Sequence, residues 1–269
     1  MLLLPSRRFT SRCTHRSRRG LTAVALLIGL VSAGSAQAAP INLSSWTAEG
    51  NGNWVVAGDN NSVTQTLNNN PTVFFGPGNA QGNQLSGTIR VNSSGDDDFI
   101  GFVLGYGAGD LTAGSTDFLL IDWKQNSQSA FGCIGQEGLA VSRVTTGLAN
   151  DRGAWCKDAA FGVEELARGT TLGNTGWVDL TQYAFDLIFT PTNVQVFVNN
   201  VKEIDIAGNF ANGGFGFYNY SQANVTYGAI EQVEVPPDPT PVPEPATMSL
   251  LGVGLAAAWW RRRRAAARA

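Results

Sequence analysis

Three consecutive aspartates, Asp96, Asp97 and Asp98, are the most specific chemical signal in the sequence. Three carboxylates cannot lie together in a dry core, so the triplet must be solvated or bind a cation. Calcium takes about six to eight oxygen ligands from a loop that folds around it. The sequence therefore predicts a Ca2+ site at this triplet. Alternation keeps the three side chains from all pointing to one ion, and Asp97 and Asp98 are the favoured ligands. A solvated turn at the start of a strand is the alternative.

The second candidate site consists of Asp122 and Lys124, two polar residues at the end of an apolar run. Alternation along a strand puts them on one face with Leu120, so they form either a surface ion pair or part of a glycan-facing surface. Sandwich glycanases need two carboxylates flanking the scissile bond, about 5 to 5.5 Å apart in retaining enzymes. Leu120 and Lys124 occupy the positions where the partner acid would stand. The sequence therefore predicts a protein that is not an enzyme.

Catalytic schemes that need histidine are also excluded from the main part of the chain. The only histidine, His15, precedes residue 39, which removes Ser/His/Asp and Cys/His nucleophiles and histidine zinc sites. Seven basic and 21 acidic residues lie between residues 39 and 260, a net charge of −14. This charge argues against nucleic acid and polyanionic membranes as partners and favours divalent cations.

The elements that must position these residues are short β-strands. Between residues 40 and 235, β-rich runs alternate with Gly, Asn, Asp and Pro clusters, a pattern typical of an all-β, two-sheet antiparallel β-sandwich. Asn199-Asn200 predicts a tight hairpin, and Val163 to Ala167 predicts a helical turn. The predicted strands are Trp54–Val56, Ser62–Leu67, Thr72–Phe75, Gln84–Val91, Phe99–Tyr106, Asp117–Lys124, Gly138–Thr145, Phe185–Thr190, Asn193–Val198, Lys202–Ile206, Gly214–Tyr220 and Val225–Val233.

The first 38 residues have the pattern of a secretory signal peptide. Six arginines precede an apolar run from Leu21 to Ala33, and small residues then lead to a signal peptidase site between Ala38 and Ala39. Sec export is favoured over twin-arginine export. Because export leads to an oxidising compartment, Cys133 and Cys156 are predicted to form a disulfide, with two free thiols as the alternative.

The C-terminal part has three segments in a distinctive order. A proline-rich linker covers residues 236–245, an apolar run of 15 residues ends at Trp260, and four arginines follow. With Pro243, Glu244 and Pro245 at its start, residues 243–269 resemble a PEP-CTERM sorting signal of Gram-negative bacteria. The resemblance implies processing by an exosortase, with membrane contact only through this segment before processing. A plain membrane anchor is the alternative.

Residues 39–235 resemble a second known family. Asn53-Trp54-Val55-Val56, the run from Leu85 to Asn92, the Asp-Asp-Asp-Phe-Ile-Gly-Phe stretch from Asp96 and the Asp-Trp-Lys-Gln stretch from Asp122 follow the order found in thrombospondin C-terminal domains. The resemblance implies a concanavalin A-like, L-type lectin jelly roll that binds Ca2+ and serves in adhesion. Residues 107–116 depart from the family as an insertion, no calcium-binding repeats precede the domain, and the two cysteines have no clear family counterpart.

These observations together predict an exported, lectin-like adhesion or extracellular-matrix protein with Ca2+ as its cofactor. Its expected location is the bacterial cell envelope or extracellular space, transiently anchored by the C-terminal helix. Its expected partner is extracellular polysaccharide or another matrix or cell-surface component. The alternatives are a carbohydrate-active enzyme of the same sandwich class and a purely structural matrix protein.

Overall fold

The computed structural model describes residues 38–235 together with residues 259, 260, 263, 264, 266 and 267. The expected signal peptide, apart from Ala38, the linker 236–245 and most of the sorting segment lie outside the described residues. The strands are β1 Ala39–Pro40, β2 Thr47–Gly50, β3 Trp54–Val56, β4 Val63–Gln65, β5 Thr72–Phe75, β6 Asn83–Val91, β7 Phe99–Tyr106, β8 Phe118–Lys124, β9 Gln128–Ala130, β10 Cys133–Gly135, β11 Gly138–Val144, β12 Val163–Arg168, β13 Gln182–Phe189, β14 Asn193–Val198, β15 Val201–Ala207, β16 Gly214–Tyr220 and β17 Val225–Glu234. The helix α1 spans Asp151–Cys156, and 3-10 turns span Leu43–Ser45, Asp110–Thr112 and Ala159–Phe161.

The strands form two antiparallel sheets, which confirms the predicted all-β sandwich. The first sheet has the order β15-β14-β13-β6-β17-β4-β3, with β1 paired to β17, and the second has the order β12-β11-β8-β7-β16-β5-β2. The strands β9 and β10 form a separate two-stranded ribbon. Asn199 and Asn200 both have positive φ, so the predicted hairpin between β14 and β15 is confirmed.

The main hydrophobic core lies between the two sheets, and β8 shows how the sequence builds it. Leu119, Ile121 and Trp123 belong to this core, whereas Phe118 and Leu120 belong to a second cluster on the other face of the same strand. The alternation predicted from the sequence is therefore correct. Both faces of β8 are buried, which explains why Phe118 to Ile121 are all apolar rather than alternating with polar residues.

The second hydrophobic cluster covers the outer face of the second sheet. Leu111, Leu148, Ala154 and Trp155 contribute to it from loops and from α1, and none of the four is more than 5% exposed. Leu111 comes from the 107–116 segment, which therefore contributes to the packing. The loops and α1 that carry these four residues, here called the cover, bury the outer face of the second sheet, which is therefore not an open concave surface.

Two elements near this cover differ from the sequence prediction. The segment from Val163 is not a helical turn but the edge strand β12, which pairs with β11 and buries Val163 against the outer cluster. No helix is predicted at α1, which has only six residues and begins at an Asn150 cap whose side chain accepts from the Arg152 and Gly153 amides. The strand β12 is held by its pairing with β11, whereas α1 is joined to β10 through Cys156.

The disulfide predicted from the sequence is confirmed. Cys133 at the start of β10 is bonded to Cys156 at the end of α1, with 5.9 Å between their Cα atoms. The bond joins the β9–β10 ribbon to α1 and therefore fastens the cover over the second sheet.

The described residues contain no helix of the length and hydropathy that a membrane crossing requires. The predicted transmembrane helix lies almost entirely outside the described residues. Of the apolar run, the structure describes only Trp259 and Trp260.

We expect Cys133→Ser with Cys156→Ser to lower the free energy of unfolding by about 3.5 kcal/mol, because the bond closes a loop with a sequence separation of 23. Chemical denaturation followed by tryptophan fluorescence measures the loss. Adding a reductant to the wild type should reproduce it, and should leave the double variant unchanged. Equal stability of wild type and variant would contradict the structural role given to the bond.

Candidate functional site

The acidic triplet lies in the turn that leads into β7. One carboxylate oxygen from each of Asp96, Asp97 and Asp98 lies within 4.8 Å of the others. Asp96 and Asp97 are half-buried and Asp98 is 5% exposed. The structure therefore brings together all three residues that the sequence predicted as calcium ligands.

Lys124 contacts the triplet from the buried side, at Asp97 and Asp98. Its ammonium nitrogen lies 2.6 Å from Asp98 Oδ1, donates to the Asp97 carbonyl at 3.1 Å and donates to Gln128 Oε1 at 3.2 Å. These three acceptors satisfy the three N–H donors of a lysine. The nitrogen also lies 5.0 Å and 4.6 Å from the ring centroids of Phe99 and Trp155. A fully buried lysine is therefore completely compensated.

Asp122 and Lys124 do not pair with each other and do not face solvent. Both are fully buried, and Asp122 Oδ1 lies 2.8 Å from Nζ of Lys157, the residue after α1. A glycan cannot touch either side chain while the cover is in place. The expected surface ion pair is wrong, and so is the expected open glycan-facing position, because loops and α1 cover the face of β8 that carries these residues.

The environment of Asp122 is polar but poorly hydrogen-bonded. The Asp122–Lys157 contact is an ion pair by its distance, although its angles are not those of a hydrogen bond. Ser142 Oγ and the Tyr218 hydroxyl are also buried without a hydrogen-bond partner among the described residues. Gly101 separates Asp122 from Tyr218 across the strands, and a Cβ there would lie 2.0 Å from the Ile121 carbonyl oxygen. Only glycine fits this position.

Burial shifts the titration of both acidic regions. Burial raises the pKa of Asp122, while the Lys157 ammonium opposes that rise. Burial and the negative charge of Asp98 raise the pKa of Asp96, which the amide of Asn68 opposes by donating at 2.7 Å. Burial is the larger cause of the raised pKa of Asp96, and the neighbouring carboxylates of Asp98 and Asp97 add to it. Lys124 compensates only part of the negative charge of the triplet.

A pocket of about 490 Å³ adjoins the triplet. It shares Asp98 with the triplet and Gln128 with the Lys124 network, and Asn68 binds Asp96 at its edge. Amides and aromatic rings dominate its wall. The lining residues are Asn68, Asn69, Asn70, Asp98, Gln128, Ser129, Ala130, Phe131, Trp155, Tyr220 and Ser221.

Several of these residues were not predicted as site residues from the sequence. The run Asn68-Asn69-Asn70 is a sequence signal for a polar loop, but only the fold shows that it lies beside the triplet. Lys157 is one of three lysines in the whole chain and follows a cysteine. Its position beside a disulfide-bonded residue was the one available hint that it lies near the core.

The family described as the thrombospondin C-terminal region matches residues 49–233, well over half of the chain. The chain belongs to the thrombospondin C-terminal region family. A PEP-CTERM protein-sorting motif matches residues 241–264, which confirms the resemblance of the C-terminal part and indicates an exported protein. Residues 49–233, which match the thrombospondin C-terminal region, thus include the triplet and its pocket.

Individual relatives support the same assignment. Thrombospondin-2 of Gallus gallus is 29% identical over 211 residues, covering 69% of this chain and 17% of the relative. Thrombospondin-3b of Danio rerio is 26% identical over 193 residues, covering 65% of this chain and 20% of the relative. This thrombospondin C-terminal region spans about a fifth of the length of these curated relatives.

Among solved structures, the carbohydrate-binding module CBM66 from Bacillus subtilis has a similar fold. The TM-score is 0.50 at 10% identity, and the alignment covers 71% of this chain and 97% of the module. The likeness confirms the two-sheet architecture at a sequence identity too low to compare sites.

We expect Lys157→Met to destabilise the protein by about 3–5 kcal/mol at neutral pH, because Asp122 would remain as a buried charge without its partner. The deficit should shrink in acid. A carboxyl whose pKa is raised by folding stabilises the folded state below its unfolded pKa, and loses that contribution as the pH rises through the folded value. Denaturation at several pH values measures this dependence.

The matched control is Lys202→Met, which removes an exposed lysine paired with Asp205 at 2.6 Å. It should cost less than about 1 kcal/mol at any of these pH values. A Lys157 variant that behaved like this control would show that the buried pair is not held as described.

Proposed function

We propose that this domain binds Ca2+ at the triplet and a glycan in the adjoining pocket, and that it serves as an adhesion or matrix module outside the cell. The observation that carries the proposal is the shared wall between the two: Asp98 belongs to the triplet and also lines the pocket. A cation at the triplet would therefore order residues that contact the pocket's occupant.

The charge of the triplet supports a divalent cation. The three aspartates carry three negative charges when ionised, and Lys124 supplies one positive charge within 2.6 Å of Asp98. The remaining two charges match Ca2+. Carboxylate oxygens of Asp96 and Asp97, with backbone or amide oxygens nearby, are ligands that Ca2+ prefers. The ion would stabilise the ionised form of Asp96, whose pKa is raised by burial and, to a smaller extent, by the charge of Asp98.

The residues of the pocket support a glycan. Asparagine and glutamine amides provide donors and acceptors for sugar hydroxyls, and Phe131, Trp155 and Tyr220 provide aromatic surface. Phe131 is 47% exposed at the tip of the β9–β10 ribbon, where a sugar ring can reach it.

Binding without catalysis is the function we favour over the carbohydrate-active enzyme. The triplet is the one group of three or more potential metal-ligating side chains found within the described residues, and its Asp98 is engaged by Lys124. Asp122 is paired to Lys157 beneath the cover. A purely structural matrix protein remains as an outcome of the tests below.

The location of the mature protein is also part of the proposal. We propose that signal peptidase cuts between Ala38 and Ala39 and that an exosortase removes the segment around Pro243, Glu244 and Pro245. Residues 39–235 would then be the functional domain, with residues 236–245 as its linker. The sorting motif matched at residues 241–264 supports this route, and extracellular polysaccharide is the proposed partner.

We expect Ca2+ to raise the melting temperature and EDTA to reverse the rise. Asp96→Asn with Asp97→Asn should abolish the response, because it removes two proposed ligands and leaves the Asp98–Lys124 pair intact. Thermal melts and calorimetric titration with Ca2+ measure both effects. Glu164→Gln with Glu234→Gln removes the same charge at exposed positions and should respond like the wild type. A double aspartate variant that still binds Ca2+ with wild-type affinity would rule the site out.

We expect Asn69→Ala and Phe131→Ala each to weaken glycan binding by about tenfold, through a lost hydrogen bond and lost aromatic contact respectively. The measurement is retention of the purified protein on exopolysaccharide from the producing cells, with Ca2+ and with EDTA. Val55→Ala trims an apolar side chain of comparable exposure that lies outside this pocket and should not change retention.

Retention that ignores Ca2+ and both variants would contradict the proposed site. Release of reducing ends during the incubation would favour the enzyme, and no retention at all would favour the purely structural protein.

A further inference from the structure

A second pocket, of about 240 Å³, lies at the other end of the sandwich. It is formed by the segment around the first 3-10 turn, the loop after β5, and the ends of β6, β16 and β17. Its lining residues are Ile41, Asn42, Ser45, Trp46, Gly76, Pro77, Asn79, Ala80, Leu85, Phe215 and Gln232. None of them is charged. An ion is therefore not the ligand that this pocket suits.

Trp46 differs from the four other tryptophans between residues 38 and 235. The indole N–H groups of those four donate to Thr72, Thr175, Gln128 and Asp98, but the structure shows no acceptor for Trp46 among the described residues. Its ring is half-buried and packs against Phe217 at a centroid distance of 5.3 Å. Gly76 makes room for it, since a Cβ there would lie 2.6 Å from the indole. The ring is thus fixed, with a free donor at the pocket.

Three of the four polar side chains that line the pocket are also free to bind a ligand, whereas Asn42 accepts from the Ser44 amide. Ser45 and Asn79 are exposed, Gln232 is half-buried, and their side chains make no hydrogen bond within the described part of the chain. A fixed aromatic ring surrounded by uncharged hydrogen-bonding groups suits a ligand with an apolar face and many hydroxyls. The volume is below the roughly 300–1,000 Å³ of pockets for drug-sized ligands, which limits the occupant to about one sugar ring.

We propose that this pocket, the Trp46 pocket, is a second, calcium-independent site that takes a neutral sugar residue, such as the end or a side branch of a polysaccharide. No acidic group of the pocket could hold a cation, so binding here does not depend on the triplet. The strand β16 joins the two pockets, with Phe215 lining one and Tyr220 lining the other. At about 3.4 Å per residue they lie roughly 17 Å apart, so one domain could hold two points of a polymer.

The test is calorimetric titration of the purified full-length protein in EDTA with methyl glucoside, methyl mannoside, methyl galactoside and cellopentaose. Trigalacturonate serves as the charged probe. At least one neutral probe should bind in EDTA, and trigalacturonate should not. Asn79→Ala with Gln232→Ala should weaken that binding about tenfold or more, because two polar contacts are lost.

Two further variants separate the Trp46 pocket from loss of folding. Trp46→Phe keeps an aromatic ring against Phe217 but removes the N–H donor, and should weaken binding while leaving most of the thermal stability. Asn51→Ala, at an exposed asparagine outside the pocket, should change nothing.

The proposal is overturned if no neutral probe binds in EDTA, or if the Asn79 and Gln232 double variant binds as the wild type does. Neither result affects the calcium site, which the Asp96 and Asp97 variants test separately. Conversely, if Ca2+ has no effect but a neutral sugar still binds in EDTA, the calcium site is ruled out and the Trp46 pocket is supported.

Discussion

Two buried lysines on the outer side of the second sheet determine what this domain can do at that face. Lys124 and Lys157 each carry a charge away from water, a cost that is recovered only with close partners and good geometry. Lys124 finds Asp98, and Lys157 finds Asp122. The first pair fixes the acidic triplet at the surface, while the second holds the end of α1 down on the sheet. The cover, the triplet and the adjoining pocket all depend on these two pairs.

The framework of the sandwich follows closely from residue alternation. The bounds of β3, β5, β7, β14 and β16 match the predicted strands, because each has apolar residues at spacings set by a pleated, buried surface. The cover does not follow from local pattern. The segment from Val163 to Ala167 is predicted as a helical turn, but it forms most of the strand β12 because it pairs with the edge of β11. Tertiary pairing overrides local propensity there.

Less of the candidate site was visible in the sequence than of the fold. The triplet was visible because three adjacent carboxylates have few physical explanations. The partners of Asp122 and Lys124 were not visible, since each pairs with a residue distant in the chain and alternation says only which side of the strand a residue occupies. Whether the outer face of β8 is exposed to solvent depends on α1, the disulfide and the 107–116 segment. None of these has a periodic pattern from which the cover could be inferred.

The scarcity of lysine has a practical consequence. The chain has three lysines, and two of them lie beneath the cover with side chains 0% and 7% exposed. Lys202, at 47%, is therefore the one lysine side chain in residues 38–235 that an amine-reactive dye or an activated surface can readily modify while the domain is folded. Coupling through it would orient the domain by the edge strand β15 and leave both pockets unmodified. Slow labelling of the other two would report, in real time, how often the cover lifts.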